Sequence, residues 1–164
     1  SAMATRRPSQ PAKAPDAVSL LKADHKQVKQ WFAQFEATRS AARKKALATN
    51  ICNALTVHTK IEEEIFYPAF LSATKDKDIH HEAIIEHDGA KRLIAQIAGS
   101  DPADDYYDSK VSVLSEMIKH HVKEEEQAGG MFAKARAARR MDLKALGQQL
   151  FDRKMELMQE MKRP

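Results

Sequence analysis

Two glutamates constrain this chain more than anything else in it. Glu62 and Glu125 each follow a histidine by four residues, in His58-Thr-Lys-Ile-Glu62 and His121-Val-Lys-Glu-Glu125. Residues four apart stack on one face of a helix, so each pair presents an imidazole and a carboxylate to the same point. Both faces are apolar: Ile51, Ala54, Leu55, Ile61 and Ile65 flank the first pair, and Leu114, Met117, Ile118 and Phe132 flank the second. Glutamate is almost never fully buried without a partner. An isolated carboxylate in an apolar interior costs more than a small domain's whole net stability. The arrangement predicts a cation buried between the two pairs.

The rest of the chain offers helices to surround it. Asp16 is a plausible N-cap, and Leu21, His25, Val28, Phe32 and Phe35 recur at three- and four-residue steps, which predicts a helix to about residue 38. A second helix is expected over about 41–72, with a bend or stop near Pro68. A third is expected over about 77–98, closed by Gly99-Ser-Asp-Pro102, and a fourth over about 103–128, interrupted at Gly129-Gly130. A further run over about 141–161 carries Leu143, Leu146, Leu150, Met155 and Met158. No segment has strand periodicity. The pattern implies an all-α, antiparallel up-down-up-down four-helix bundle with an additional C-terminal helix packed outside the four.

Composition bounds the partners. The net charge of +4 is uneven: residues 133–164 carry nine Lys/Arg against four Asp/Glu, and residues 1–15 carry three basic residues and no acid. The body, 16–132, is therefore net acidic, and basic ends on an acidic body do not make a nucleic-acid groove. No run approaches the ~20 apolar residues of a membrane span. Neither nucleic acid nor a membrane is an expected partner. The single Cys52 rules out an internal disulfide framework, fits a reducing compartment and reads as a core or boundary residue; a cytoplasmic location is expected. Ser1-Ala2 ahead of Met3 read as vector residues. The chain divides into a disordered tail at 1–15, a bundle at 16–132 and a basic helical extension at 133–164.

Each bundle helix places a histidine on its apolar face: His25, His58, His87 and His121, joined by Glu62 and Glu125. Imidazole and carboxylate without thiolate suit iron, manganese or zinc. Six side chains exceed what tetrahedral zinc needs and suit two metals sharing carboxylates, which bundle cores are known to hold. The Glu-x-x-His spacing of ferritin-like sites does not occur. The His-Glu-x-x-His zinc pattern fails at Ile85.

The order Asp24-His25, His58-x-x-x-Glu62-Glu63 followed by Ile65-Phe66-Tyr67-Pro68, Glu86-His87, and His120-His121-Val-Lys-Glu-Glu125-Glu126 resembles the hemerythrin-like, HHE cation-binding domain family over about residues 17–132. The resemblance implies a non-heme, oxo- or hydroxo-bridged centre of two iron ions. Its ligands would be His25, His58, Glu62, His87, His121 and Glu125. Zinc or manganese in place of iron stays open. It also implies binding of, or reaction with, a small oxidant: dioxygen, peroxide or nitric oxide. An oxygen- or iron-responsive interaction module, or an iron-binding protein without turnover, are the alternatives, and no enzyme class follows.

One position departs from the oxygen-carrying members, which have a second histidine one turn before the third-helix ligand; here it is Ala83. The loss predicts more exchangeable positions at the metals and favours reactivity over reversible storage. His80 is seven residues from His87, ~10 Å along a helix axis, too far to substitute. In the fourth helix His120 and Glu124 share the spacing of His121 and Glu125 but lie on a more polar face. Glu63, Glu64 and Glu126 read as solvated flanking charges.

Overall fold

A computed structural model describes residues 14–163, so most of the tail expected to be disordered lies outside the described residues. Helix α1 (Ala17–Ala37) starts where Asp16 accepts a hydrogen bond from the Ser19 N–H at 2.8 Å, and it buries Leu21, His25, Val28, Phe32 and Phe35 along one stripe. Helix α2 (Ala41–Ile61) starts at Ser40, whose hydroxyl caps the Arg43 N–H. These side chains satisfy amide protons that a helix start leaves without a partner.

The long second helix does not simply bend at Pro68. It widens into a π-helical turn, Glu62–Phe66, and continues as α3 (Tyr67–Thr74). The Tyr67 N–H bonds back to the Glu62 carbonyl, five residues earlier, and Pro68 has no N–H to restore the four-residue ladder. Helix α4 (Lys77–Ala98) follows, capped by Asp76 at the Ile79 N–H.

Helix α5 (Tyr107–Glu126) begins four residues later than the expected 103. Asp101 and Asp104 hold the intervening segment in turns: the Asp101 carboxylate accepts from the Ala103 N–H, and the Asp104 carboxylate accepts from the Asp101 N–H. Such local bonds compete with helix formation.

The chain breaks at Gly129-Gly130 as expected, but a short helix, α6 (Met131–Ala137), intervenes before α7 (Leu143–Lys162). A side chain at Gly130 would collide with the Glu124 carbonyl, so glycine permits the tight return onto α5. At Gly147 the backbone of Pro15–Ala17 lies where a β-carbon would sit, which lets α7 cross the start of α1.

Helices α1, α2, α4 and α5 pack in that order around a closed ring, with α7 laid outside against α1 and α2. The interior has two apolar clusters. One gathers Leu21, Ile61, Phe66, Phe70, Ala83 and Phe132. The other gathers Val28, Phe32, Ile51, Leu55, Ala90 and Leu114. Along α1, α2 and α4 the histidine falls between residues of these two clusters. On α5, His121 and Glu125 lie between Leu114 of the second cluster and Met131 of the first, beyond the helix end, so the polar groups form one buried layer across the bundle. Leu150 and Leu157 of α7 join the first cluster, which makes this helix part of the core. Cys52 is buried, and burial pushes its thiol up to about 11.

Candidate metal centre

The structure brings all six candidate side chains together in that layer. His25, His58, Glu62, His87, His121 and Glu125 are each no more than 8% exposed, and Glu62 is fully buried. The His25 and His58 rings lie 4.9 Å apart on one side, and the His87 and His121 rings 4.8 Å apart on the other. The two carboxylates stand between. Glu62 Oε1 is 2.9 Å from His58 Nε2 and 3.2 Å from His87 Nε2. Glu125 Oε1 is 3.2 Å from His25 Nε2 and 3.4 Å from His121 Nε2. Each glutamate therefore faces one histidine from each side.

Behind the histidines runs a second circle of acids. Asp24 on α1 takes the Nδ1 of His58 on α2 at 2.9 Å. Glu63, in the π-turn, takes Nδ1 of His87 on α4 at 3.0 Å, and Glu86 on α4 takes Nδ1 of His121 on α5 at 2.8 Å. Glu126 at the end of α5 closes the circle at His25 Nδ1, at 3.4 Å and without a formed hydrogen bond. Every acid is the sequence neighbour of one candidate ligand and faces the histidine of the next helix around the bundle, and all but Glu126 are hydrogen-bonded to it.

Those bonds decide which ring nitrogen faces inward. A carboxylate at Nδ1 places the ring proton there and leaves the Nε2 lone pair free for a metal. The lone pairs then confront carboxylate oxygens and one another: His87 Nε2 and His121 Nε2 are 3.2 Å apart. His25 Nε2, His58 Nε2, both Glu62 oxygens and Glu125 Oε1 have no hydrogen-bond partner. Buried acceptors aimed at acceptors are satisfied by protons or by cations. Two groups of three donors, His25–His58–Glu125 and Glu62–His87–His121, are each close enough to hold one ion.

The sequence model of the Hemerythrin HHE cation binding domain family matches residues 16–135. The chain belongs to this family. Among solved structures, a hemerythrin HHE cation binding domain-containing protein from Mycobacterium kansasii has the same fold, with a TM-score of 0.72, 22% identity and 89% of each chain covered. A protein of Nostoc sp. described as a DNA nickase is 27% identical over 107 residues, which is 65% of this chain and 30% of that relative. The chain thus spans less than a third of the nickase's length.

In this hemerythrin-like domain a seventh polar group enters the centre, one that sequence reasoning missed. The Tyr67 hydroxyl donates to Glu125 Oε2 at 2.9 Å and lies 3.0 Å from His87 Nε2 and 3.2 Å from His121 Nε2. Ala83 is a buried methyl in the same apolar cluster as Tyr67. A phenol oxygen thus stands on the His87–His121 side, where Ala83 supplies no donor. On an unbroken α-helix Tyr67 would point roughly 140° away from Glu62; the π-turn brings both to the same side. A signal was present in Pro68, which prevents a regular ladder just there.

The flanking acids also depart from expectation. Glu63 and Glu126 face His87 and His25, and only Glu64 is an outer charge, bound to Arg153 at 2.8 Å. His80 sits with its ring edge against Tyr67, 6.2 Å between centroids, and takes no place in the centre. His120 is exposed at the α4 edge of α5, 3.3 Å from Glu86 Oε2, and is not part of the centre.

The metal-free electrostatics of the hemerythrin-like centre follow from this crowding. Burial pushes His58 toward neutrality, but the Glu62 and Asp24 carboxylates outweigh it and hold its pKa up at about 10. His121 is likewise held well above its ordinary value: burial opposes its charge, and Glu125 and Glu86 overcome it. Burial works to raise Glu125, yet His121 and His25 hold it well below the usual carboxylate range. Burial and the neighbouring carboxylates of Glu125 and Glu62 push Tyr67 well up. The buried carboxylates thus favour the protonated forms of His58 and His121.

Proposed function

We propose that this domain holds two non-heme iron ions and binds or reacts with a small oxidant such as dioxygen, peroxide or nitric oxide. The observation that carries the reading is the sharing of Glu62 and Glu125 between the His25–His58 side and the His87–His121 side. Four neutral imidazoles and two carboxylates suit two ferrous or ferric ions, with charge neutralised where it is buried. Tyr67 supplies a further oxygen donor to the His87–His121 side.

When bound, iron supplies electron transfer and Lewis acidity to a ligand; the chain's own part is to bind, orient and exclude water. Asp24, Glu63 and Glu86 hold the imidazoles of His58, His87 and His121 each in one tautomer. Phe132 stacks on His25 at 5.8 Å and, with Phe66, walls off one end of the layer. On the opposite side a cavity of about 20 Å³ touches His25, His58, His87 and His121; its remaining lining is mostly apolar, Leu55, Ala90, Met117, Ile118 and Val122, with Thr59 and Glu86. It has room for one water-sized molecule, which favours a diatomic or peroxide ligand over an organic substrate.

The test is anaerobic reconstitution with ferrous iron, a metal count, and absorption spectra on adding air and then peroxide. Two irons per chain and an oxidant-dependent spectrum are expected. One iron, or no spectral response, would overturn the reading.

A second reading, an iron- or oxygen-responsive interaction module, is favoured by one link. Lys154 on α7 meets Asp24 at 2.5 Å, and Asp24 holds His58. Hydrogen exchange in α7 that differs between metal-free and iron-loaded protein would support it, and identical exchange would count against it.

A further inference from the structure

Helix α5 carries the His-x-x-x-Glu spacing twice, in adjacent registers. His121 and Glu125 point into the bundle, and His120 and Glu124 point toward the exposed edge of α4. His120 Nε2 lies 3.0 Å from Glu124 Oε1 and 3.3 Å from Glu86 Oε2. One donor atom from each of Glu86, His120 and Glu124 falls within 4.8 Å of the others. We propose that these three residues form a separate divalent-cation site, and that cations pass through it on the way to the buried centre. The routing rests on the two-metal reading above; the site itself does not.

Three observations converge here. First, Glu86 and Glu124 of the cluster line a cavity of about 130 Å³, together with Glu82 toward solvent and His121 and Glu125 inside. Glu125 lines this cavity although it is only 2% exposed, and its Oε1 faces His25 and His121 in the centre, so the cavity runs from the acidic rim to a candidate ligand of the buried pair. Second, Glu86 belongs to both places. Its Oε1 accepts from His121 Nδ1, and its Oε2 faces His120.

Third, histidines are the only basic side chains paired with the acids at this mouth among the described residues. Asp24, Glu63, Glu64 and Asp76 each pair with Lys154, Lys91, Arg153 or Lys134. Among the described residues no lysine or arginine pairs with Glu82, Glu86 or Glu124. A cleft lined by one sign of charge concentrates ions of the other sign and speeds their arrival by about 10- to 1,000-fold. One imidazole and two carboxylates suit a borderline divalent ion such as Fe²⁺, Co²⁺, Mn²⁺ or Zn²⁺.

The experiment uses the full chain, metal-free and anaerobic, at low salt. Cobalt(II) titration is expected to show two tighter ions and a third, weaker one. His120→Ala and Glu124→Gln change side chains at the rim and are expected to lose only the third. Glu125→Ala disables the centre and is expected to keep the weak ion, which separates failure of this site from failure of the two-metal reading. Stopped-flow uptake of ferrous iron should be at least about tenfold slower in His120→Ala and Glu124→Gln, with the same final iron content. Equal cobalt stoichiometry in wild type and both rim variants would overturn the site. Loss of the third ion with unchanged uptake rates would overturn its role in transit.

Discussion

Asp24 Oδ2 holds Nδ1 of His58 at 2.9 Å across the interface between α1 and α2, and the same relation is repeated around the bundle. Each helix thereby contributes both a candidate ligand and the acid that aims its neighbour's histidine. Losing such an orienting partner costs about 10- to 100-fold in metal affinity. Asp24→Asn and Glu86→Gln are expected to fold, to load both metals at saturating iron, and to release them to a chelator about 10- to 100-fold more readily. Chelator competition read by absorbance checks this. Glu126→Gln should do least, since Glu126 approaches His25 without a formed bond.

Glu62 and Glu125 each face two histidines, so neither can be removed without affecting both sides of the centre. Glu62→Ala and Glu125→Ala are expected to lose most bound iron while keeping helical content. Metal analysis with circular dichroism on the same samples decides it; two irons retained in both variants would rule out these residues as ligands.

Tyr67→Phe removes one oxygen and keeps the ring in the core. Glu125 Oε2 loses its donor, and leaving a buried polar group unpaired costs about 1–3 kcal/mol. The metal-free variant is expected to melt several degrees lower, and the iron-loaded variant to release iron faster. Equal melting and equal release would leave Tyr67 a packing residue only.

His58 ties stability to pH in the metal-free protein. Its folded pKa, raised to about 10 from an ordinary 6.5, means that the folded state holds a proton the unfolded state gives up. That contribution is fully present below pH 6.5 and is lost as pH rises through about 10. The metal-free melting temperature should therefore fall across this window. Metal must displace the same proton, so affinity should rise with pH over the same range. Melting curves and chelator competition at pH 7, 8.5 and 10 test both signs.

Leu150 is fully buried although it lies on the helix outside the four. Leu150→Ala is expected to cost about 2–5 kcal/mol, a drop in melting temperature of roughly 5–15 °C for a chain of this size. A drop within 1–2 °C would show α7 to be only loosely attached.

The bundle was legible before the structure because helical periodicity is local. An apolar stripe at three- and four-residue steps fixes which face turns inward whatever it meets there. The six candidate ligands were legible for the same reason, as polar residues on faces that must be buried. The late start of α5 was hidden by Asp101 and Asp104, whose side chains bond to the backbone in place of a helical turn. Helix α6 was hidden by its seven residues, too few to show a period.

What only the tertiary structure decided are relations between helices. Which acid aims which histidine depends on the order in which α1, α2, α4 and α5 neighbour one another, and no spacing within one helix encodes that. Asp24, Glu63, Glu86 and Glu126 look in the sequence like charges flanking a motif, and packing turns them into a closed circle. Tyr67 depends on a single widened turn that changes the side it faces. Side-chain periodicity along a helix is set by local geometry, whereas the partner across the core is set by docking.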